Sequence, residues 1–180
     1  MATLMLLGGS QSQMNAARMA KALGHRLILA DYLENPPAAA VSDVHVRAST
    51  FDTDACIRAA KAHRVDGVFT TGTDQPVYTA AVVSEALSLP YPISVETAKN
   101  ATNKRAMKAA FQAFGVPHVP FQYLSKGQGA GALKALTPPL VMKPLDAQGQ
   151  RGVFKLDSAD EAVRRLGETL SFSREDAALV

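Results

Sequence analysis

Two lysines and a glycine-bearing loop are the residues whose types and spacing could do chemistry. Lys143 follows the apolar run Leu140-Val141-Met142 and precedes Pro144, which forces extended backbone on the residue before it. A few residues later comes Gln148-Gly149-Gln150-Arg151-Gly152, and then a second apolar run. Glycines let the chain turn with its amides facing outward, as a phosphate requires of a nest of N–H groups. A lysine at the strand end adds a mobile point charge for the same anion. On spacing alone a hairpin with a polar tip and a solvated lysine fits equally well, and the two readings stand level. Lys104 shifts the balance. It lies three residues before Met107 and seven before Phe111, on the edge of an apolar helical stripe, so its ammonium must snorkel to water or enter a cleft toward an anion. With two lysines on consecutive elements, one of them beside the glycine loop, the cleft is the expected place.

The elements that must position these residues follow from periodicity. Thr3 to Leu7 reads as a buried parallel strand, ended by Gly8-Gly9. Met14 to Leu23 has helical spacing, with Met14, Ala17, Met19 and Ala22-Leu23 on one side and Gly24 as its stop. Strands are expected at Arg26 to Ala30, Val44 to Arg47 and Asp66 to Thr70, with a loop at Pro36-Pro37 and the alanines after it. Helices are expected from Thr53 or Asp54 to His63, and after Asp74, placed as N-cap with Pro76 in the first turn. This alternation implies a parallel sheet covered on both faces. A boundary falls near Thr102, dividing residues 1–102 from 103–180. Beyond it come a helix from Asn103 to Phe114, with Met107, Ala110, Phe111 and Phe114 as its buried stripe, and strands at 121–124, 140–143 and 153–156. A further helix starts at Ser158, where Ser158 and Glu161 have capping-box spacing. Ala177 to Val180 looks like a strand just beginning without a partner, which suggests a piece of a longer protein.

Composition removes several function classes. The chain of 180 residues carries a net charge of +3, with its basic residues dispersed rather than gathered in an aromatic-interleaved run, so nucleic acid is not an expected partner. One cysteine, Cys56, excludes an internal disulfide and zinc clusters, and its place on a helix face suits a packed core thiol. His25, His45, His63 and His118 show no metal-ligand spacing. No apolar stretch approaches the roughly 20 residues that span a bilayer, and the N-terminus lacks the basic flank of a signal peptide. The expectation is a cytoplasmic protein with no membrane partner. A homodimer is compatible with the sequence, which does not disclose the oligomeric state.

NKRAMKAAFQAFGVPHVPF followed by PPLVMKPLDAQGQRGV resembles the opening of the nucleotide-binding region of ATP-grasp enzymes, and is most similar to the carboxylate–amine ligase branch near carbamoyl phosphate synthetase. The first hundred residues are similar to the Rossmann-like domain that precedes such modules. The resemblance implies an α/β fold: a Rossmann-like parallel-sheet domain, then the small α+β lid subdomain, with the large ATP-grasp subdomain absent. It implies that Lys104 and Lys143 contact ATP phosphates and that Gln148, Gly149, Gln150, Arg151 and Gly152 close over them. It also implies a small carboxylate substrate near Gly9, Ser10 and Gln11, with Thr71, Gly72 and Thr73 at a neighbouring strand end. Mg2+ would be held by residues outside the chain, so that the chain itself contains no catalytic residues and is inactive alone. From the residues themselves, Ser10 and Asp74 suit helix caps and Asp31 suits a turn better than a ribose ligand, since GxGxxG is absent. A non-catalytic metabolite-binding module and one subunit of a split ligase remain as alternatives.

Overall fold

The computed structural model describes residues 1–180, which divide into two compact units, Met1–Thr102 and Asn103–Val180. In the first, β1 (Thr3–Leu7), β2 (Arg26–Asp31), β3 (Val44–Arg47) and β4 (Gly67–Phe69) form a wholly parallel sheet in the order β3-β2-β1-β4. The continuous apolar runs of β1 and β2 reflect burial on both faces. Leu6, Leu27 and Leu29 pack with Ala17 and Ala20 of α1 (Met14–Ala22), and Met5, Leu7 and Ile28 pack with Cys56, Ala59 and Ala60 of α2 (Thr53–His63). Each of the leucine, isoleucine and methionine side chains, once fully buried, contributes about 1.5–3 kcal/mol of transfer free energy. The core face of α1 is Met14-Ala17-Ala20, whereas Met19 and Leu23 are exposed. Small residues there let the helix sit close to the sheet.

α3 (Gln75–Ala86) is apolar on most sides because it lies between α2 and α4 (Val95–Thr102). The sequence reading missed α4, whose Val-Glu-Thr-Ala-Lys-Asn-Ala-Thr sequence buries only Ala98. Asp74 occupies the position before α3, but its side chain makes no capping bond and its backbone is already helical. The expected cap is therefore corrected. The expected loop after Pro36 is a 3-10 turn over Pro37–Val41 that buries Ala38.

In the second unit, β5 (Tyr123–Ser125), β6 (Leu140–Pro144), β7 (Phe154–Leu156) and β8 (Ala177–Leu179) form an antiparallel sheet in the order β5-β8-β6-β7. β8 is thus no unpartnered stub. It is a central strand, bonded to β5 on one side and β6 on the other, and Gln122 and Val180 extend its ladder with two 2.9 Å bonds. Alternation sorts the faces. Ala178 and Val180 join Leu140 and Met142 beneath Ala162, Leu166 and Leu170 of α6 (Ala159–Leu170), while Leu179, Val141 and Lys143 belong to the opposite face. Ser158 caps α6 by accepting from Glu161 N, and Glu161 reaches back to accept from Asp157 N.

α5 (Lys104–Ala113) departs from expectation. Asn103 caps it, accepting from Arg105 N and Ala106 N, but none of its residues is fully buried and Phe114 is 82% exposed. Charged side chains dock the helix instead: Arg105 lies 4.4 Å from the Tyr123 ring centroid and 3.4 Å from Glu175, and Lys108 lies 4.8 Å from the Phe121 centroid.

Two titrating groups test the first unit. Backbone donation from Leu27 N, then the Lys21 ammonium, hold the Asp43 carboxyl below the ordinary carboxylate range. Its contribution is therefore complete above the unfolded pKa of about 3.9 and is lost as pH falls through the lowered folded value. Acid titration followed by circular dichroism should show Asp43→Asn with a smaller loss of stability across that window than wild type. Burial pushes the Cys56 thiol up to about 11 and leaves it inaccessible, so thiol reagents should label it far more slowly in the native protein than in denaturant.

Candidate functional site

In the first unit the chain proceeds β1 to β2 to β3 toward one edge, then returns to place β4 on the other side of β1. The carboxyl ends of β1 and β4 therefore flank a topological switch point, where open parallel sheets leave a crevice for ligands. Gly9, Ser10 and Gln11 follow β1, and Thr71, Gly72 and Thr73 follow β4. The two loops are joined by a residue that the sequence reading overlooked. Gln13 is 1% exposed, and its amide donates to Thr71 O at 2.6 Å and Thr73 Oγ1 at 3.3 Å. Its carbonyl accepts from Ser10 Oγ at 2.5 Å and Ser12 Oγ at 3.1 Å. Ser10 thus serves Gln13 and makes no side-chain cap. Gly72, at φ +69°, has room for no Cβ, which would fall 2.9 Å from Ser12 Cβ.

Asp31 fixes the base of this crevice. Its Oδ2 accepts from Gly9 N at 2.7 Å and its Oδ1 from Leu33 N at 2.8 Å. At 7% exposure it is a structural turn residue, in line with the missing glycine fingerprint. Gly9 is held as tightly: a Cβ would approach Pro36 Cβ to 2.9 Å. What remains exposed is a rim of hydroxyls and amides from Ser10, Gln11, Ser12, Thr71 and Thr73, suited to a small polar substrate.

In the second unit, β6 delivers Lys143 to the face opposite α6, where a cavity of about 460 Å3 opens. Phe121, Val141 and Leu179 supply apolar wall, and Lys143 and Lys108 supply the charge. Lys108 was not singled out from the sequence, although it stands one helical turn after Lys104. Lys104 itself is tied to the chain just beyond Lys143, its backbone N donating to Leu145 O at 2.9 Å and its ammonium to Ala147 O at 2.7 Å. The loop from Gln148 joins the antiparallel strands β6 and β7, with Gly149, Gln150 and Gly152 all at positive φ. Gly152 is its fixed end: a Cβ would lie 2.9 Å from both Phe172 and Pro144, and Thr169 Oγ1 donates to its carbonyl. Gly149 meets nothing within 4 Å. Arg151 is exposed, and its Nε donates to Gln148 O at 3.4 Å. No group of three or more His, Cys, Asp or Glu residues that could hold a metal ion occurs, and no helix is long and apolar enough to cross a membrane.

Comparison with known proteins bears on the whole chain. No family model matches it. It is 28% identical over 163 residues to a formate-dependent phosphoribosylglycinamide formyltransferase from Synechococcus sp. (strain CC9605), covering 88% of this chain and 41% of that protein. The L-amino acid ligase from Bacillus licheniformis superposes with a TM-score of 0.71 at 21% identity, over 99% of this chain and 43% of the ligase. N5-carboxyaminoimidazole synthase from Aspergillus clavatus, solved with ADP and 5-aminoimidazole ribonucleotide, gives a TM-score of 0.70 at 21% identity, over 99% of this chain and 45% of the synthase. The chain therefore has the fold of the N-terminal portion of ATP-grasp ligases and spans less than half the length of the relatives it matches.

Replacing Gln13 by alanine removes the bonds that join the two loops, while Ser10, Ser12 and Thr71 keep access to water. Urea unfolding should show a loss of about 1 kcal/mol, with amide exchange rising in both loops. Gly152→Ala should be destabilising by about 1–3 kcal/mol, because neither Pro144 nor its positive φ can yield, whereas Gly149→Ala should lose less.

Proposed function

We propose that this chain is the N-terminal part of an ATP-dependent carboxylate–amine ligase that works through an acyl phosphate. Residues 1–102 act as the domain preceding the ATP-grasp fold, and 103–180 as the linking helix and small lid subdomain. The observation that carries the reading is the cavity beside β6: apolar walls of a size to take a base, with Lys143 at the strand end and the glycine loop continuing from the same strand. Relatives of the same fold solved with ADP support a nucleotide as its occupant.

In this scheme the carboxylate substrate attacks the γ-phosphorus of ATP, the bond to the β–γ bridging oxygen breaks and ADP leaves. The resulting acyl phosphate is then open to an amine, which displaces phosphate. Two anions must be brought together, so catalysis is mostly positioning and charge neutralisation. Lys143 is within reach of the cavity and neutralises phosphate charge. Lys104 starts from its bond to Ala147 O and transfers its ammonium to the polyphosphate as the loop Gln148–Gly152 folds over. Gly149 and Gln150, already at positive φ, turn their amides to the same oxygens. The switch-point rim of Gly9, Ser10, Gln11, Thr71, Gly72 and Thr73 receives the small substrate. Mg2+ would neutralise the remaining phosphate charge, and its ligands lie outside this chain.

Calorimetry with Mg-ATP and a phosphate-release assay test the reading. The 180-residue chain should show no turnover, and a protein that also carries the metal ligands should bind Mg-ATP. Lys143→Ala in that longer protein should weaken binding by about tenfold or more, the loss of one charge-assisted phosphate contact. Robust turnover by the 180-residue chain, or unchanged affinity in Lys143→Ala, would refute the assignment.

A further inference from the structure

The cations along α5 have different fates. Lys104 is engaged with the Ala147 carbonyl, and Arg105 is paired with Glu175 while stacking on Tyr123. Lys108, one turn on, reaches the cavity that Lys143 enters from β6, and its nitrogen lies 4.8 Å from the Phe121 ring centroid. The cavity lining contains both lysines and no acidic side chain, and neither lysine belongs to an ion pair. Two lysine side chains therefore line one partly apolar space with no acidic side chain to balance them. Such a space favours an anion, and its potential is strongest where the walls exclude water.

We infer that Lys108 is a second phosphate-binding ammonium of this cavity, held over Phe121 until a nucleoside phosphate draws it off; the inference rests on the nucleotide reading above. An aromatic face is a weak partner for an ammonium compared with a phosphate oxygen. The ring thus keeps Lys108 aimed at the cavity without competing for it. Lys143 comes from the sheet and Lys108 from the helix, so the two charges meet an anion from different elements. An uncharged nucleoside would gain from the apolar walls but not from Lys108. Discrimination between nucleotide and nucleoside is the property that Lys108 adds.

NMR titration of the 180-residue chain with ADP and, separately, adenosine, both without magnesium, reads this out even at millimolar affinity. In Lys108→Gln the affinity for ADP should fall by about five- to tenfold, adenosine should bind as in wild type, and the salt dependence of ADP binding should flatten. Lys108→Arg should retain most of the preference. Amide spectra that superpose outside the cavity would show that Lys108→Gln keeps its fold. An unchanged ADP-to-adenosine ratio in Lys108→Gln, with a lowered ratio in Lys143→Gln, overturns the role of Lys108 and leaves the nucleotide reading intact. If neither ligand moves the amides of Phe121, Val141 and Leu179 in wild type, the cavity of this chain takes no nucleotide and the inference fails, while the ligase reading still stands or falls on Mg-ATP binding by the longer protein.

Discussion

The backbone ladder of β8 is the constraint on which the cavity-facing half of the second unit depends. Ala177–Leu179 inserts between β5 and β6, so β5 and β6, which are separated by a glycine-rich turn and a 3-10 segment, have no direct bonds to one another. Every residue of β8 is buried, and its period-two alternation sends Ala178 into the α6 core and Leu179 to the cavity. Because Lys143 is opposite Leu179 in the register, the same ladder sets which way that lysine points. A one-residue slip would bury its ammonium under α6, where Met142 now sits, at a cost of several kcal/mol for an unpaired charge. Register and the lining of the cavity are thereby linked.

α5 shows the opposite way of holding an element. Its residues contribute little buried area, so its position is set by directional contacts. Asn103 donates to Glu175 at 2.6 Å, Lys104 N donates to Leu145 O, and two cations rest on the rings of Phe121 and Tyr123. Glu175 and Ser173 belong to the segment leading into β8, where Asp146 accepts from Ser173 Oγ and Arg174 N. One polar network therefore ties α5, the stretch after Lys143 and the approach to the central strand. Apart from Glu175, its links are short side chains and backbone groups, which lose less entropy on ordering than long ones.

Much of this was legible because local and global preferences agree. The runs at Leu4–Leu7 and Leu27–Ala30 are continuous and apolar because both faces are covered, and Ser158 with Glu161 carries its cap in the sequence. The failures have physical causes. Met107, Phe111 and Phe114 have the spacing of a buried stripe, yet periodicity reports which residues share a face and says nothing of whether that face is covered. β8 looked partnerless because both its partners precede it, and one of them, β5, is more than fifty residues away. α4 has too weak an apolar face to be read without α3 beside it. Gln13 sits in a polar run, Ser10-Gln11-Ser12-Gln13, where nothing in the residue types marks one glutamine as buried and the other as exposed.

The glycines of the two candidate sites differ in kind, and the difference bears on how each site works. Gly9 and Gly72 are glycine because neighbouring atoms leave no room, and the loops around them are locked by Asp31 and a fully bonded Gln13. Such a site is preorganised: its polar groups need not rearrange when a small ligand arrives. Gly149 faces open space, whereas the loop it begins is closely packed at Gly152. That end is hinged on Thr169 and Phe172, while the Gln148–Gln150 end stays close to Lys104 through the Ala147 carbonyl. A loop with one fixed end and one polar latch can follow a ligand of variable charge and length, as a polyphosphate is during transfer. For the proposed ligase reaction, a rigid first loop pair and an adaptable second loop would be complementary, since one partner is positioned once and the other changes its bonding along the way.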